Sequence, residues 1–242
     1  SPMVYIPLGE FSVGSEECGE DAKPPHTCAT KGFYLDKFCV SNQQFAHFVK
    51  ETDYVTEAER GEGAPIWLEG QWKMLEGISW KNPTGNTLPK DFPAHPVTQI
   101  TLEDAKAYSE WMGKRLPTEE EWEYAAKGGQ INARYPWGDN ISKVHANFMS
   151  DKTVVNGSYP ANGYGLYDMA GNVWEWTDSY YIAYPGNTSS NPHFTEDLQV
   201  VRGGAWLYDA AYCLIAFRNA NQKSRCYPTL GFRCALDFIE EE

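Results

Sequence analysis

Six cysteines are the side chains of this 242-residue sequence that best suit redox or soft-metal chemistry. They stand at positions 18, 28, 39, 213, 226 and 234, and no two form a CxxC pair. A zinc site or a dense disulfide scaffold would need closely spaced cysteines or Cys/His groups, so neither is predicted. Cys18 and Cys28 flank a Pro-Pro loop and could form a disulfide with each other.

A pair of carboxylates is the second candidate for site chemistry. In the stretch YDMAGNVWEW, Asp168 and Glu175 are seven residues apart, and Gly171 lies in a turn between them. Hard cations such as calcium bind several oxygen ligands, which a turn can supply as carboxylates and as backbone carbonyls. An acidic turn held by backbone hydrogen bonds is the alternative interpretation.

Histidine spacing and overall charge exclude several other classes of function. The five histidines share no HxxxH or HxE pattern, so a histidine-built metal site is not predicted. The net charge is −13 and there is no Lys/Arg-rich run, which argues against binding to nucleic acid or to an anionic membrane. No apolar run approaches the roughly 20 residues that a transmembrane helix needs.

The elements that position these residues must be short, because glycine and proline recur throughout the chain. Alternation of apolar and polar residues predicts a hairpin over residues 3–15 and another strand within residues 32–41. Residues 61–96 lose periodicity and predict a long loop that is ordered by its own aromatic side chains. After Gly128 the sequence indicates loops and short strands.

Three amphipathic segments predict helices. The first begins at a Ser41–Asn42 cap. The second begins at Thr101 as N-cap, carries Met112 on its buried face and ends at the following glycine. The third is capped by Thr118, has three glutamates in its first turn, and ends at Gly128.

Five longer motifs occur in order along the chain: GKRLPTEEEWEYAAKGG, YPWGDN, NGYGLYDMAGNVWEW, VVRGGAW and LGFRCA. Together they resemble the formylglycine-generating-enzyme, or sulfatase-modifying-factor, domain over almost the whole chain. The resemblance implies one domain over residues 1–242 with a C-type-lectin-like α+β fold, in which extensive ordered loops join short helices and strands.

The resemblance also implies structural calcium. One site would take the side chains of Asp168 and Glu175 and the carbonyls of Gly171 and Val173. A second would use Asn147 and Phe148, although the segment that holds its other ligands is shorter here.

The catalytic residues of the family are incomplete in this chain. The resembling enzymes bind copper(I) through two cysteines separated by four residues, of which the second matches Cys213. The first position is Tyr208, and a phenol cannot replace a thiolate toward copper(I). Ala205, Asp209 and Thr229 stand where that family has Ser, His and Asn. We therefore expect neither copper nor formylglycine chemistry.

Residues 202–234 instead suggest a ligand-facing segment. Its two ends, RGGAW at 202–206 and LGFRC at 230–234, belong to the family motifs and form a frame, whereas residues 207–229 between them show neither a strand nor a helix period. One branch of the resembling family consists of variable proteins that retroelements diversify in this segment. We predict a largely exposed surface for a protein or small-molecule ligand. Its expected contact residues are Leu207, Tyr208, Asp209, Tyr212, Leu214, Ile215, Phe217, Asn219, Asn221, Arg225, Tyr227 and Thr229.

The alternative function is a divergent oxidase that acts through Cys213 on a cysteine-containing peptide or another substrate. Under either interpretation we expect a monomer. The resemblance and calcium favour a location outside the cytoplasm or at the cell surface. The opening residues SPM are typical of those that cloning leaves at an N-terminus, so a targeting segment could have been removed.

Overall fold

The computed structural model describes residues 1–239, so residues 240–242 of the predicted domain lie outside it. Its strands are β1 (Met3–Ile6), β2 (Gly9–Val13), β3 (His26–Thr30), β4 (Phe33–Asp36), β5 (Ala64–Leu68), β6 (Gln71–Leu75), β7 (Trp174–Tyr181), β8 (Thr195–Arg202), β9 (Asn219–Gln222), β10 (Leu230–Gly231) and β11 (Ala235–Asp237). Its helices are α1 (Asn42–Thr52), α2 (Glu57–Arg60), α3 (Leu102–Trp111) and α4 (Glu119–Lys127). These short elements confirm the predicted α+β class.

The three predicted helices form, and their predicted caps hold them. The side chains of Ser41, Thr101 and Thr118 each accept a hydrogen bond from the backbone N–H three residues further on. Gly128 ends α4 in the left-handed region with φ of 58°. Met112 was expected on the buried face of α3 but is 37% exposed, because the helix ends one residue earlier, at Trp111.

The four-stranded sheet that carries the site has the order β10-β7-β8-β9. β10 runs parallel to β7, whereas the other neighbours are antiparallel. β7 and β8 have eight residues each and are longer than the short strands expected after Gly128. β9 pairs only with β8 and forms one edge of the sheet.

The predicted hairpin over residues 3–15 is wrong in its pairing, although both strands exist. β1 pairs with β4, which pairs on its other side with β11, whereas β2 pairs with β3. Pro7 lies between β1 and β2 and cannot donate to a ladder. Each strand therefore finds a separate partner, and the three-stranded sheet ties the two ends of the chain together.

The segment predicted as a long loop over residues 61–96 contains the β5–β6 hairpin. Its two-residue turn, Glu69–Gly70, has φ of 51° and 79°. Left-handed residues at both positions match the twist of the flanking strands and favour a tight hairpin. The register places Trp67 opposite Trp72, and their rings meet edge to face with centroids 5.0 Å apart.

The largest core cluster fills the space between α1, α3 and the four-stranded sheet. Phe45 of α1 stacks on Tyr108 of α3 with ring centroids 5.8 Å apart. The fully buried Trp176 of β7 donates its indole N–H to the carbonyl of Ile100 at 2.9 Å. A second cluster packs Trp122 of α4 against Phe33 of β4. Because Trp174 and Trp176 of β7 belong to the largest cluster, packing holds the beginning of this strand in position.

All six cysteines are free thiols, so the possible Cys18–Cys28 disulfide does not form. The Cys234 sulfur lies 3.3 Å from the Oγ of Ser109 on α3, a polar contact between two buried side chains. Within residues 1–239, none of the helices combines the length and the apolar composition that crossing a bilayer requires.

Candidate functional site

The frame of the predicted ligand segment is rigid. The guanidinium of Arg202 is fully buried, pairs with the carboxylate of Glu123 and donates to the carbonyl of Phe217 at 2.8 Å. Gly204 has φ of 76°, and a Cβ there would lie only 2.8 Å from the carbonyl oxygen of Tyr212. Glycine is thus required at this position, because the chain passes too close to the following turn for any side chain.

Two hydrogen bonds to backbone carbonyls tie distant parts of the segment together near the start of β7. The N–H of Trp174 donates to the carbonyl of Thr229 at 2.8 Å, next to the parallel pairing of β10 with β7. The indole of Trp206 donates to the carbonyl of Pro228 at 3.1 Å. These bonds place Tyr208, Thr229 and Trp174 around one cavity.

That cavity, here called the aromatic pocket, has a volume of about 170 Å³. It is lined by Trp72, Trp174, Val201, Tyr208, Asn219, Ala220, Asn221, Tyr227, Thr229 and Leu230. The rings of Trp174 and Tyr208 meet at 70° with centroids 5.7 Å apart. Those of Trp72 and Tyr227 meet at 65° with centroids 4.9 Å apart. Aromatic rings therefore form two of its walls, and asparagine amides on the edge strand β9 form a third.

The aromatic pocket has no charged lining side chain, and its polar groups include hydrogen-bond donors. The indole N–H of Trp174 is buried without a hydrogen-bond partner among the described residues. The Tyr208 hydroxyl lies close enough to this indole for the Trp174 side chain to act against the rise in the pKa of Tyr208, although the two groups do not form a well-aligned hydrogen bond. Burial raises the pKa of Tyr208, so this phenol is neutral at physiological pH.

The predicted contact residues divide between different places. Tyr208, Asn219, Asn221, Tyr227 and Thr229 line the aromatic pocket. Tyr212 and Phe217 lie beside Trp174, with ring centroids 6.3 and 6.1 Å from it, and pack against the largest core cluster. They support the pocket wall and are not part of the lining.

Asp209, Leu207 and Arg225 lie outside the aromatic pocket. Asp209 accepts a hydrogen bond from the N–H of Ala211 at 2.8 Å and caps the short helix Ala210–Cys213. Leu207 is half-buried, and Arg225 is exposed.

The expectation of a largely exposed surface is wrong for several of these residues. Leu214 and Ile215 are only 9% and 2% exposed, and Thr229 is buried. Leu214 and Ile215 line a different cavity, of about 370 Å³, next to the loop that contains Cys18. The short helix Ala210–Cys213 turns the chain inward, so the residues that follow it belong to the core.

Five lining residues are absent from the contact residues that the sequence predicts: Trp72, Trp174, Val201, Ala220 and Leu230. Trp72 lies in the segment that the sequence predicts as a long loop. The alternation in APIWLEGQWKML around Glu69–Gly70 is a hairpin signal that would have placed Trp72 on a strand.

Cys213 lies outside the aromatic pocket. Its side chain is fully buried in a cluster with Tyr135 and Phe148. Burial raises the pKa of the thiol to about 12, so it is protonated at neutral pH. A protonated and inaccessible thiol is a poor nucleophile and a poor metal ligand.

Glu175 of the expected calcium set has no free acceptor. Its carboxylate receives two hydrogen bonds of 2.7 Å from the guanidinium of Arg233. It receives two further ones, from the indole of Trp122 at 2.8 Å and from the thiol of Cys39 at 3.3 Å. Among residues 1–239 there is no group of three or more His, Cys, Asp or Glu side chains that could hold a metal ion. Both carboxylate oxygens of Glu175 are thus engaged within the protein, and calcium at Asp168, Gly171, Val173 and Glu175 stays a prediction.

Asp168 is the member of this set that keeps a free oxygen. Its Oδ2 accepts from the N–H of Gly157 at 2.7 Å, while the buried Oδ1 has no partner among the described residues. Burial raises the pKa of this carboxyl to about 6. One carboxylate oxygen alone falls short of the six to eight oxygen ligands that calcium takes.

The second expected calcium pair, Asn147 and Phe148, is also occupied by contacts within the protein. The Asn147 Oδ1 accepts from the hydroxyl of Ser150 at 2.6 Å. The Asn147 amide nitrogen donates to the carbonyl of Lys152 at 2.9 Å and to the side-chain oxygen of Asn172 at 3.1 Å. The carbonyl of Phe148 accepts a hydrogen bond from the ammonium of Lys143.

Comparisons with known proteins agree with this fold. Residues 1–238 match the sulfatase-modifying factor enzyme 1-like domain. The formylglycine-generating enzyme of Streptomyces coelicolor is 36% identical over 284 aligned residues, which cover 97% of this chain and 89% of that protein. The inactive C-alpha-formylglycine-generating enzyme 2 of Bos taurus is 33% identical over 276 aligned residues, which cover 96% of this chain and 87% of that protein.

Among solved structures, Treponema denticola variable protein 1 matches with a TM-score of 0.73 at 20% identity, over 98% of this chain and 95% of that one. At this level of identity the match concerns the fold alone. The comparisons confirm the family resemblance and the C-type-lectin-like fold predicted from the five motifs.

Proposed function

Because the chain belongs to the sulfatase-modifying factor enzyme 1-like domain family but lacks the paired thiols of formylglycine chemistry, we propose that it is a ligand-binding protein. Its binding site is the aromatic pocket. The observation that carries this proposal is the unpartnered indole N–H of Trp174 in the wall of that pocket. A buried donor without an acceptor costs about 1–3 kcal/mol, and a ligand that supplies an acceptor removes this cost.

The lining of the pocket favours a neutral ligand of about the size of one small ring. The cavity volume of about 170 Å³ sets the size. A charged ligand would lose its hydration and find no opposite charge among the lining residues, which is costly. Flat or apolar faces of the ligand would pack on Trp72 and Tyr227, while its acceptors would face Trp174 and the amides of Asn219 and Asn221.

Formylglycine chemistry is disfavoured by what now stands at the catalytic positions. Tyr208 presents a neutral phenol to the pocket, and Ala205 is fully buried without a hydroxyl. Oxidase chemistry through Cys213 alone is opposed by the burial and the raised pKa of its thiol. The structure holds no observation that favours this alternative. A location outside the cytoplasm and a monomeric state stay predictions.

Nuclear magnetic resonance of the indole N–H groups tests the proposal directly. The resonance of Trp174 is identified among those of the nine tryptophans by its loss in Trp174→Phe. The neutral probes are N-methylacetamide and methyl α-glucopyranoside, and the charged comparators are acetate and tetramethylammonium. We expect at least one neutral probe to shift the Trp174 resonance in a saturable way, and the charged comparators to leave it unchanged.

Two variants control for indirect effects. Asn221→Ala removes an amide of the half-buried edge strand, so it should weaken the saturable shift and leave the fold intact. Trp111→Phe changes a partly exposed tryptophan whose aromatic neighbours, His47, Phe48 and Tyr108, all lie outside the pocket lining, and it should leave the shift unchanged. If no neutral probe shifts Trp174, or if the charged comparators shift it equally, the proposed pocket is wrong.

A further inference from the structure

The cavity of about 370 Å³ differs from the aromatic pocket because a buried cation lines it. Lys127, the last residue of α4, belongs to its wall, and this residue is only 8% exposed. Burying an ammonium group is costly unless an opposite charge pairs with it. The groups that face Lys127 therefore determine which ligand this cavity, here called the Lys127 cavity, can hold.

The carboxylate nearest to Lys127 already serves other donors. The Lys127 Nζ lies 3.4 Å from Oε1 of Glu123, which is longer than the roughly 2.7–2.9 Å of a charge-assisted hydrogen bond. The same oxygen accepts from the N–H of Gly14 at 3.0 Å, and Oε2 pairs with the guanidinium of Arg202. An ammonium has three donors, so Lys127 keeps unused hydrogen-bonding capacity at the wall of the cavity.

The buried ion-pair network around Lys127 contains one more cation than carboxylates. Its cations are Lys127, Arg202 and Arg218, and its carboxylates are those of Glu119 and Glu123. All five residues are buried. Arg218 engages both oxygens of Glu119, at 2.7 and 2.9 Å. One positive charge is therefore in excess, and Lys127 is the cation of this network with the longest closest ion pair.

Other acidic residues nearby do not compensate this charge. Glu16 and Glu17 also line the Lys127 cavity, but both are exposed, and Glu17 pairs with Arg134 at 3.1 Å. The carboxylate of Asp21 accepts from the hydroxyl of Tyr181 at 2.7 Å. Water screens the charges at the exposed rim far more than it screens a buried ammonium. Within residues 1–239, Lys127 thus has no counter-charge of its own.

We propose that the Lys127 cavity binds a small monocarboxylate with a short apolar chain. The carboxylate accepts hydrogen bonds from the ammonium of Lys127 and balances the buried network. The apolar chain packs on Leu214 and Ile215, which line the cavity and are 9% and 2% exposed. The exposed carboxylates of Glu16 and Glu17 disfavour a second acidic group on the ligand. The cavity shares no lining residue with the aromatic pocket, so the proposal is independent of the function proposed above.

Methyl nuclear magnetic resonance with butanoate as the probe tests this proposal. The δ1-methyl resonance of Ile215 is identified by its loss in Ile215→Val. Butanamide has a similar shape without the charge, and inorganic phosphate has charge without the chain. We expect butanoate to shift the Ile215 resonance in a saturable way and to leave the indole resonance of Trp174 unchanged. Both comparators should bind about tenfold more weakly, or less, because each lacks one of the two contacts.

Two results in the wild type would overturn the proposal. One is that butanoate leaves the Ile215 resonance unshifted. The other is that butanamide or phosphate binds as tightly as butanoate, because the cavity would then not select for both the charge and the chain.

A pair of variants tests the role of Lys127 itself. Lys127→Met removes the ammonium and keeps an apolar stem, so it should weaken butanoate binding by about tenfold or more. Lys90→Met removes an exposed lysine outside the cavity lining and should bind butanoate as the wild type does. Unchanged binding by Lys127→Met would also overturn the proposal. Should this variant not fold, the comparison of butanoate with butanamide in the wild type still decides.

Discussion

The ring of Tyr208 meets the ring of Trp174 edge to face, with centroids 5.7 Å apart. Tyr208 holds the position where the family resemblance places the first copper-binding cysteine, and Trp174 opens the strand that carries Glu175. A bulky phenol thus occupies space that a small thiol would leave to metal and substrate. In the proposed function this phenol forms part of the wall of the aromatic pocket.

We expect no formylglycine formation by this protein. The reason is that Tyr208 cannot bind copper(I) and that the Cys213 thiol is buried and protonated. The measurement is mass spectrometry of a cysteine-containing sulfatase-motif peptide incubated with protein, copper(I) and oxygen, with the Streptomyces coelicolor enzyme as positive control. Tyr208→Cys alone should also be inactive, since Ala205 and Thr229 remain. Conversion of the peptide by the wild type would contradict the proposed function.

Ile215→Ala should destabilise the fold, although Ile215 was expected at an exposed ligand surface. Ile215 is 2% exposed and packs with Trp122 and Phe33, so its truncation should cost about 2–5 kcal/mol. Leu207→Ala, in the same segment, should change the free energy of unfolding by no more than about 0.5 kcal/mol. Urea denaturation of the two variants measures both values. Equal stability of the two would restore the exposed-surface interpretation.

Glu175→Gln should be among the most destabilising single changes. It leaves the Arg233 guanidinium buried without its counter-charge, a loss of about 3–5 kcal/mol. Glu69→Gln is the matched control, because Glu69 pairs with Lys73 at 2.7 Å on the surface. Loss of such an exposed pair should cost less than about 1 kcal/mol. A mild effect of Glu175→Gln in denaturant titrations would mean that the buried pair contributes little to the fold.

His95 should contribute a fall in stability as the pH decreases through the histidine range, whereas the raised pKa of Asp168 contributes in the opposite direction. Burial lowers the pKa of His95 below its ordinary value of 6.5, although Asp91 at 3.4 Å from Nε2 acts in the opposite direction. The unfolded chain therefore takes up this proton at a higher pH than the folded one. The contribution to stability is complete above pH 6.5 and declines below it, as far as the folded-state pKa.

The check for His95 is urea denaturation at several pH values between about 7.5 and 5. The free energy of unfolding should depend less on pH in His95→Gln than in the wild type. In His193→Gln, which changes an exposed histidine, its dependence on pH should equal that of the wild type. Identical slopes in wild type and His95→Gln would show that His95 does not titrate differently on folding.

The sequence predicts a structural feature well when the residues that produce it lie close together along the chain. Ser41 and Gln44, or Thr118 and Glu121, are three residues apart, and each pair closes a cap by itself. The motif order also identified the family, because each motif is local. Strand pairing was not predictable in this way: the partner of β1 is β4, and nothing near Pro7 specifies it.

The candidate site shows the same limit. The walls of the aromatic pocket come from Trp72, Trp174 and Tyr227, which lie far apart in the sequence, so only the folded chain brings them together. Leu214 and Ile215 are neighbours, yet Leu214 packs with Tyr135 and Ile215 with Trp122. Irregular backbone after a short helix can direct consecutive side chains into two different cores. Such an arrangement has no regular spacing of hydrophobic residues, so the sequence does not predict it.

The β5–β6 hairpin has a consequence for how this protein could change over evolutionary time. Its two strands pair only with each other, and Ala64 and Ile66 belong to a small cluster with Ala58, Ile78 and Cys226, separate from the two main cores. The hairpin nevertheless supplies Trp72 to the aromatic pocket. If the proposed function holds, substitutions within residues 64–75 would change ligand preference with little effect on the two main cores.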